Sequence, residues 1–324
     1  MERMATEMAA RLPALAPDRY VVRRPPPVLA HRAGHLWEQL VLPATAGSAL
    51  IYCPANLAPL ASRRNVVVIH DVAPLREPGW YSGAYAAYQR LILPRIARRA
   101  RLVITVSDFS REEIVATLGV SPGQVAVVGN GVDARFSPAA DPARARREYG
   151  LDRPYVLVVG SRIARKNLGA LAAADAALRE RGIDLVVAGS GRGHLRAEDG
   201  HELRALGYVP EGLLPGLYAG AAALAMPSLY EGFGLPVVEA MASGTPVVAA
   251  DRAALPEVCG GAALLVDPDD GGALAGALLA AVTEPATGER LVGAGLQRAA
   301  AFTWDRTARE TDAAIAGVLG QYPG

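Results

Sequence analysis

With 324 residues, 51% hydrophobic and 20% charged, the chain has the make-up of a soluble globular protein long enough for two hydrophobic cores. A formal net charge of +1 argues against nucleic acid as the main partner, because phosphate binding leaves a basic surplus. No apolar run approaches the ~20 residues needed to span a bilayer, and the N-terminus has no basic region leading into an apolar core, so a cytoplasmic protein is expected.

The first predicted element is an amphipathic helix over "ERMATEMAARLPAL", where Met4, Met8, Leu12 and Leu15 recur at three- and four-residue spacing. Four short apolar, β-branched runs follow: "ALIYC", "NVVVIHD", "RLVITVS" and "QVAVVGN". A basic helix, "YQRLILPRIARRARL", precedes the third, and its Arg90, Arg95, Arg98, Arg99 and Arg101 read either as a solvated face or as a surface for anionic lipid. The stretch "DARFSPAADPARARREYGLDRP" holds three prolines, many charges and no strand. It is the best linker and divides the chain near residues 137–153.

Past it come "YVLVVG", "IDLVVAG", "AALAMPS", "TPVVAA" and "AALLVDP". Unbroken runs of this kind fit strands buried on both faces, and their alternation with helices implies parallel sheets built from βαβ units. The economical architecture is α/β, with two doubly wound, Rossmann-like domains facing a cleft, over residues 1–150 and 151–303. Such a domain ordinarily opens with a strand, whereas this chain opens in a helix. The first domain is therefore expected to be one strand short, with an exposed edge or gap beside the strand that carries His70. Cys53 and Cys259, far apart and without metal-ligand spacing, read as buried reduced thiols.

The stretch "MPSLYEGFGLPVVEAMASGTPVVAA", residues 226–250, reads as strand, glycine turn and helix, with Pro236 in the first helical turn and Gly244 past its end. The amides of the helix start can hold an anion, and Gly232 and Gly234 let the backbone approach closely. Glu231 lies on the loop and Glu239 in the first helical turns. Glu239 either complements the helix dipole or accepts from paired sugar hydroxyls, and the two carboxylates could each hold a different sugar ring.

A second basic loop sits in "VVGSRIARKNLGALAAA", residues 158–174. Lys166 is the only lysine among 33 basic residues, and reads as a solvated cation or as a phosphate binder at a βα turn. His70 ends a buried run at a position where doubly wound domains place ligands, although a strand-end histidine alone fits a structural role as well. His31, His35, His194 and His201 have no such context. The glycines of "VVAGSGRG", residues 186–193, imitate a dinucleotide fingerprint without a clear helix after them. The acidic residues of "VDPDD", residues 266–270, imitate a metal site but fit turn and N-cap chemistry.

In this order, "VIHDVAPLREP", "ITVSDFSREEI", "NGVD", "RKNL", "LGYVP", "LLPGLYAGA", "PSLYEGFGLPVVEAMASGTPVVA", "LPEV" and "FTWDRTA" resemble the retaining GT-B glycosyltransferases of family four, over essentially the whole chain. The resemblance implies that the second domain binds a nucleotide-sugar donor, a GDP-sugar or UDP-sugar. Glu239 would accept from the ribose hydroxyls, while Glu231 and the backbone of Gly232, Phe233, Gly234 and Leu235 would hold the hexose. Lys166 would neutralise the pyrophosphate, the backbone near Tyr208 and Val209 would meet the base, and His70 would contact the transferred sugar. Cationic groups facing the departing diphosphate make a metal or other cofactor unnecessary. The resemblance also implies that residues 304–324 form a helix crossing back to the first domain. The acceptor would be a hydroxyl of a glycan, a lipid-linked glycan or a small molecule, with peripheral contact at the inner face of a membrane as one option. The "HD" and "RKN" variants look most like the mannosyltransferase-like branch that builds bacterial surface polysaccharides.

Two departures stand out. Many relatives carry an arginine directly after the glycine that ends the first donor-domain strand, whereas here Ser161 follows Gly160. Arg162 or Arg165 must then supply the second positive charge, and Arg165 is favoured. The other departure is the opening strand, which in the family lies beside the acceptor and the pyrophosphate. It keeps open a rival reading as a sugar-nucleotide-binding protein without catalysis. A dinucleotide-dependent oxidoreductase rests on the Rossmann-like pattern alone, which does not fix function.

Overall fold

The computed structural model describes residues 2–26, 34–189 and 203–320. They fall into two compact units, each built on its own parallel sheet. Unit 1 gathers the residues up to Pro78, Gly83–Gly131 and the segment from Trp304; unit 2 gathers Gly79–Ser82 and Val132–Thr303.

In unit 1, β1 (Ile51–Cys53), β2 (Asn65–Val68), β3 (Leu102–Thr105) and β4 (Val125–Val127) lie side by side in chain order. Successive side chains of a strand point to opposite faces, and here both faces are covered. Val67, Ile69 and Val103 pack with Leu93 and Ile96 of the helix Gly83–Arg99 and with Ile114 and Leu118 of the helix Asp108–Leu118. Val66, Val68, Leu102 and Ile104 pack with Met4, Met8 and Leu12 of the helix Glu2–Leu15 and with Trp304 and Ile315 of the helix Trp304–Gly320. This two-sided burial is why the runs carry no polar alternation. Leu15, the last residue of the predicted apolar stripe, is exposed.

The expected edge or gap beside the His70 strand is not found. β2 pairs on one side with β1, Ile51 opposite Asn65, and on the other with β3, Val66 opposite Leu102. The "ALIYC" run supplies the outer neighbour, so the strand leading to His70 is internal to the sheet.

In unit 2, β5 (Tyr155–Val159), β6 (Asp184–Ala188), β7 (Arg204–Gly207), β8 (Ala223–Met226), β9 (Val247–Ala250) and β10 (Leu264–Val266) are ordered β10-β9-β8-β5-β6-β7. From β5 the chain builds outward through β6 to β7, then returns to the other side of β5 and builds outward again. The order therefore reverses between β5 and β8, the arrangement of a doubly wound sheet. β7 has no counterpart among the predicted runs. It is an edge strand with Arg204 and Ala205 exposed, and it carries none of the valine-rich signal of a doubly buried strand.

The units divide at Gly131 and Val132, not near residue 150. Residues 132–150 belong to unit 2. Phe136 is buried there, edge-on against Tyr218 at 5.6 Å, and Arg135 pairs with Glu211 at 2.8 Å. One buried aromatic anchors a segment whose proline and charge content reads as a linker.

Candidate functional site

β5 and β8 are hydrogen-bonded neighbours, with Val156 opposite Ala223, yet the chain leaves them toward opposite sides of the sheet. Doubly wound sheets bind ligands at the carboxyl ends of such a strand pair. The loops that leave β5 and β8 here carry Arg165 and Lys166 on one side and Glu231 on the other.

Gly160 ends β5 with φ +148°, and a Cβ on it would stand 2.7 Å from Lys166 Cε. The bare α-carbon is what allows the lysine stem to lie against the strand end. The turn Ala164–Lys166 closes with Asn167 in the left-handed region, its amide donating to the Pro268 carbonyl at 2.8 Å. From the other side, the Leu229 amide donates to the Arg165 carbonyl at 2.9 Å, and Arg165 Nη1 donates to the Tyr230 carbonyl at 2.5 Å. The two loops are thus tied together before any charge is considered.

At their junction Lys166 Nζ lies 2.8 Å from Glu231 Oε1, and Arg165 Nη1 lies 2.9 Å from Glu231 Oε2. Lys166 is 7% exposed and Glu231 8%. Burial pushes the Lys166 ammonium below the usual lysine range, and the Glu231 charge opposes that shift. Burial would also raise Glu231, but Arg165 and Lys166 outweigh it and hold the carboxyl at about 2. Two cations and one carboxylate leave this cluster with a positive surplus, which suits an anion.

After the loop, the helix Leu235–Ala242 begins without a side-chain cap. Its N-cap, Gly234, has φ +93°, and a Cβ there would meet Leu255 Cδ2 at 2.7 Å. A helix start with uncapped amides favours negative charge. Glu239 projects from this helix, 3% exposed, and accepts from the Tyr218 hydroxyl at 2.8 Å. Tyr218 is fixed in turn by Phe136 and by Thr245, whose hydroxyl donates to the Tyr218 carbonyl at 2.7 Å. The sequence reading missed Tyr218 as a positioning residue, because "LLPGLYAGA" reads as an apolar stretch.

The remaining predicted residues divide by unit. In unit 2, Gly232 and Phe233 are buried, Phe233 edge-on to Phe302 at 5.5 Å, and Leu235 is half-buried. Arg162 is half-buried and makes no ion pair among the described residues. Tyr208 is exposed and Val209 is buried, just after β7. His70 belongs to unit 1. Its amide donates to Asn56 Oδ1 at 2.9 Å, its Nε2 lies 3.3 Å from the Pro54 carbonyl, and burial lowers its pKa to about 4.

Asp270 caps the helix Gly271–Thr283, accepting from the Ala273 amide at 2.8 Å, so the acidic "VDPDD" residues serve turn and cap chemistry. No three His, Cys, Asp or Glu side chains gather as a metal set among the described residues. His31, His194, His201 and, of the "VVAGSGRG" glycines, Gly191 and Gly193 lie outside the described residues. Both cysteines are buried free thiols.

Residues 13–136 match the family described as Glycosyltransferase Family 4, and residues 153–284 the family described as Glycosyl transferases group 1. O-antigen chain mannosyltransferase B of Escherichia coli is 32% identical over 80% of this chain and 71% of its own length. MMP alpha-(1->4)-mannosyltransferase of Mycolicibacterium hassiacum is 36% identical over 67% of this chain, which spans only 54% of that relative. Two solved structures share the fold: sucrose-phosphate synthase from Thermosynechococcus elongatus, with TM-score 0.69 and 24% identity over 87% of this chain and 76% of that one, and Anabaena HepE in complex with UDP, with TM-score 0.66 and 20% identity over 92% and 85%. The chain belongs to the GT-B glycosyltransferases of family four.

Proposed function

We propose that unit 2 binds a nucleoside-diphosphate sugar at the β5/β8 switch point. The protein then transfers the hexosyl group, with retention, to a hydroxyl of a glycan, a lipid-linked glycan or a small-molecule acceptor. The observation that carries this reading is the Arg165–Lys166–Glu231 cluster, with Lys166 and Glu231 buried, beside an uncapped helix start whose Glu239 is held by Tyr218. Breaking the anomeric C–O bond leaves charge on the diphosphate, and preorganised cations and amides in a buried site stabilise it directly. Lys166, Arg165 and Arg162 supply the cations, so transfer proceeds without a metal. Glu239 accepts from the ribose hydroxyls and Glu231 from the hexose.

Relatives that are named mannosyltransferases support mannose as the transferred sugar. No helix of the described residues is long and apolar enough to cross a membrane. We place the activity in the cytoplasm, with contact to the inner membrane face through the helix Gly83–Arg99, whose exposed side carries Tyr88, Arg90, Leu91, Arg95 and Arg99. A screen of GDP- and UDP-sugars, read as release of nucleoside diphosphate with and without a chelator, tests the reading. Release from at least one donor, unaffected by chelation, is the expected result. Binding of the dinucleotide cofactor NAD with no release from any donor would overturn it.

A further inference from the structure

We propose that the diphosphate of the donor displaces Glu231 from Lys166 and Arg165, and that the carboxylate so released then takes up the sugar hydroxyls. The inference rests on the donor-binding reading above and adds an exchange of partners within the same site.

Both cations give a hydrogen to Glu231, one to each carboxylate oxygen, at 2.8 and 2.9 Å. The Lys166 stem lies in the space that the missing Gly160 Cβ leaves, and its ammonium is directed at the Glu231 carboxylate. A diphosphate that pairs with both cations competes with that carboxylate for them. Charge points the same way. Two cations and one carboxylate sum to a single positive charge, whereas a diphosphate brings at least two negative charges. With Glu231 still between them, Lys166 and Arg165 would be shared among three negative charges; with the diphosphate in its stead, they face two. Uncompensated charge is costly at a site this buried. The displaced carboxylate needs new donors, and sugar hydroxyls provide them.

Glu231 thus has two successive tasks. It keeps the buried lysine charged until a diphosphate arrives, and it competes with the product diphosphate once the sugar has left. Removing its charge should tighten nucleoside-diphosphate binding while abolishing sugar transfer.

Lys166 is the only lysine in the chain, so protein made with 13Cε-lysine gives a single lysine resonance. GDP, UDP, the matching nucleosides and inorganic pyrophosphate are titrated into wild type and Glu231→Gln, with affinities from calorimetry. Before addition the two proteins should differ in lysine shift. After saturation with the diphosphate their resonances should coincide, since Glu231 no longer touches Lys166. Glu231→Gln should bind the diphosphate about tenfold more tightly, the effect expected for removing one charged competitor, with nucleoside affinity unchanged. Should Glu231→Gln fail to fold, Glu231→Ala, which also removes the charge, serves as the second arm, with tightening of the same sign. Resonances that stay apart at saturation, or equal or weaker diphosphate affinity, overturn the exchange while leaving donor binding intact. No binding of either nucleotide or of pyrophosphate to any of the proteins overturns the donor reading itself.

Discussion

Tyr218 donates its hydroxyl to the Glu239 carboxylate over 2.8 Å, and both side chains are buried. The bond fixes which way the carboxylate faces, so removing it should cost nucleotide affinity without removing any group that touches the nucleotide. Glu239→Ala should weaken GDP or UDP binding. Tyr218→Phe should do so by about 1 kcal/mol, the usual worth of one hydrogen bond. Calorimetry with the 2′,3′-dideoxy nucleotide separates the two: the Tyr218→Phe loss should vanish when there are no ribose hydroxyls for Glu239 to hold. An equal loss with both ligands would place Glu239 elsewhere.

Lys166→Ala should reduce transfer by ~2–4 kcal/mol of transition-state stabilisation, as removal of one preorganised donor does in other sites. Lys166→Arg should recover part of this, because the larger guanidinium has to fit the space that Gly160 leaves. Gly160→Ala acts on the same contact from the other side. Its new Cβ would stand 2.7 Å from Lys166 Cε at φ +148°, so turnover should fall together with a stability loss of ~1–3 kcal/mol. Unchanged turnover in Lys166→Ala would show that Arg162 and Arg165 suffice.

Acid should unfold the protein in two windows. Burial lowers His70 from its ordinary 6.5 to about 4, so the unfolded chain takes up that proton first as pH falls. The stability owed to neutral His70 is complete above pH 6.5 and is lost between there and about 4. Glu231 runs from an ordinary 4.5 down to about 2, so its contribution is complete above pH 4.5 and is lost toward 2. Melting temperature followed against pH should show both declines, and His70→Gln should flatten the first while sparing the second.

Trp304 lies 3% exposed among Met4, Met8, Val66 and Ile104. Trp304→Ala should cost ~3–5 kcal/mol by loss of packing and cavity formation. Hydrogen exchange should localise the loss to β1–β4, leaving protection of β5–β10 unchanged.

Nine of the ten strands among the described residues were legible because each is an apolar run of the kind that two-sided burial requires. β7 was not, because an exposed edge strand beginning Arg204-Ala205 needs no apolar signal. At the site, the residue types were legible while their pairing was not. Lys166 and Glu231 are 65 positions apart, and they meet only because the sheet order sets β5 beside β8. Strand order depends on how crossover helices pack, which apolar runs do not encode. The unit boundary failed for a similar reason: the packing of Phe136 on Tyr218 outweighs the proline and charge content of the segment around it.

The pairing of the helices Glu2–Leu15 and Trp304–Gly320 on one face of β1–β4 bears on synthesis. Met4, Met8 and Leu12 leave the ribosome some 300 residues before the Trp304 and Ile315 side chains that pack with them. Domains usually fold in the order in which they are made. Here the unit made first has an open apolar face until the helix Trp304–Gly320 is released, while Val132–Thr303 can close its own core before that. The early unit is therefore the one exposed to chaperones longest, and a stalled chain would present that uncovered sheet face rather than a finished domain.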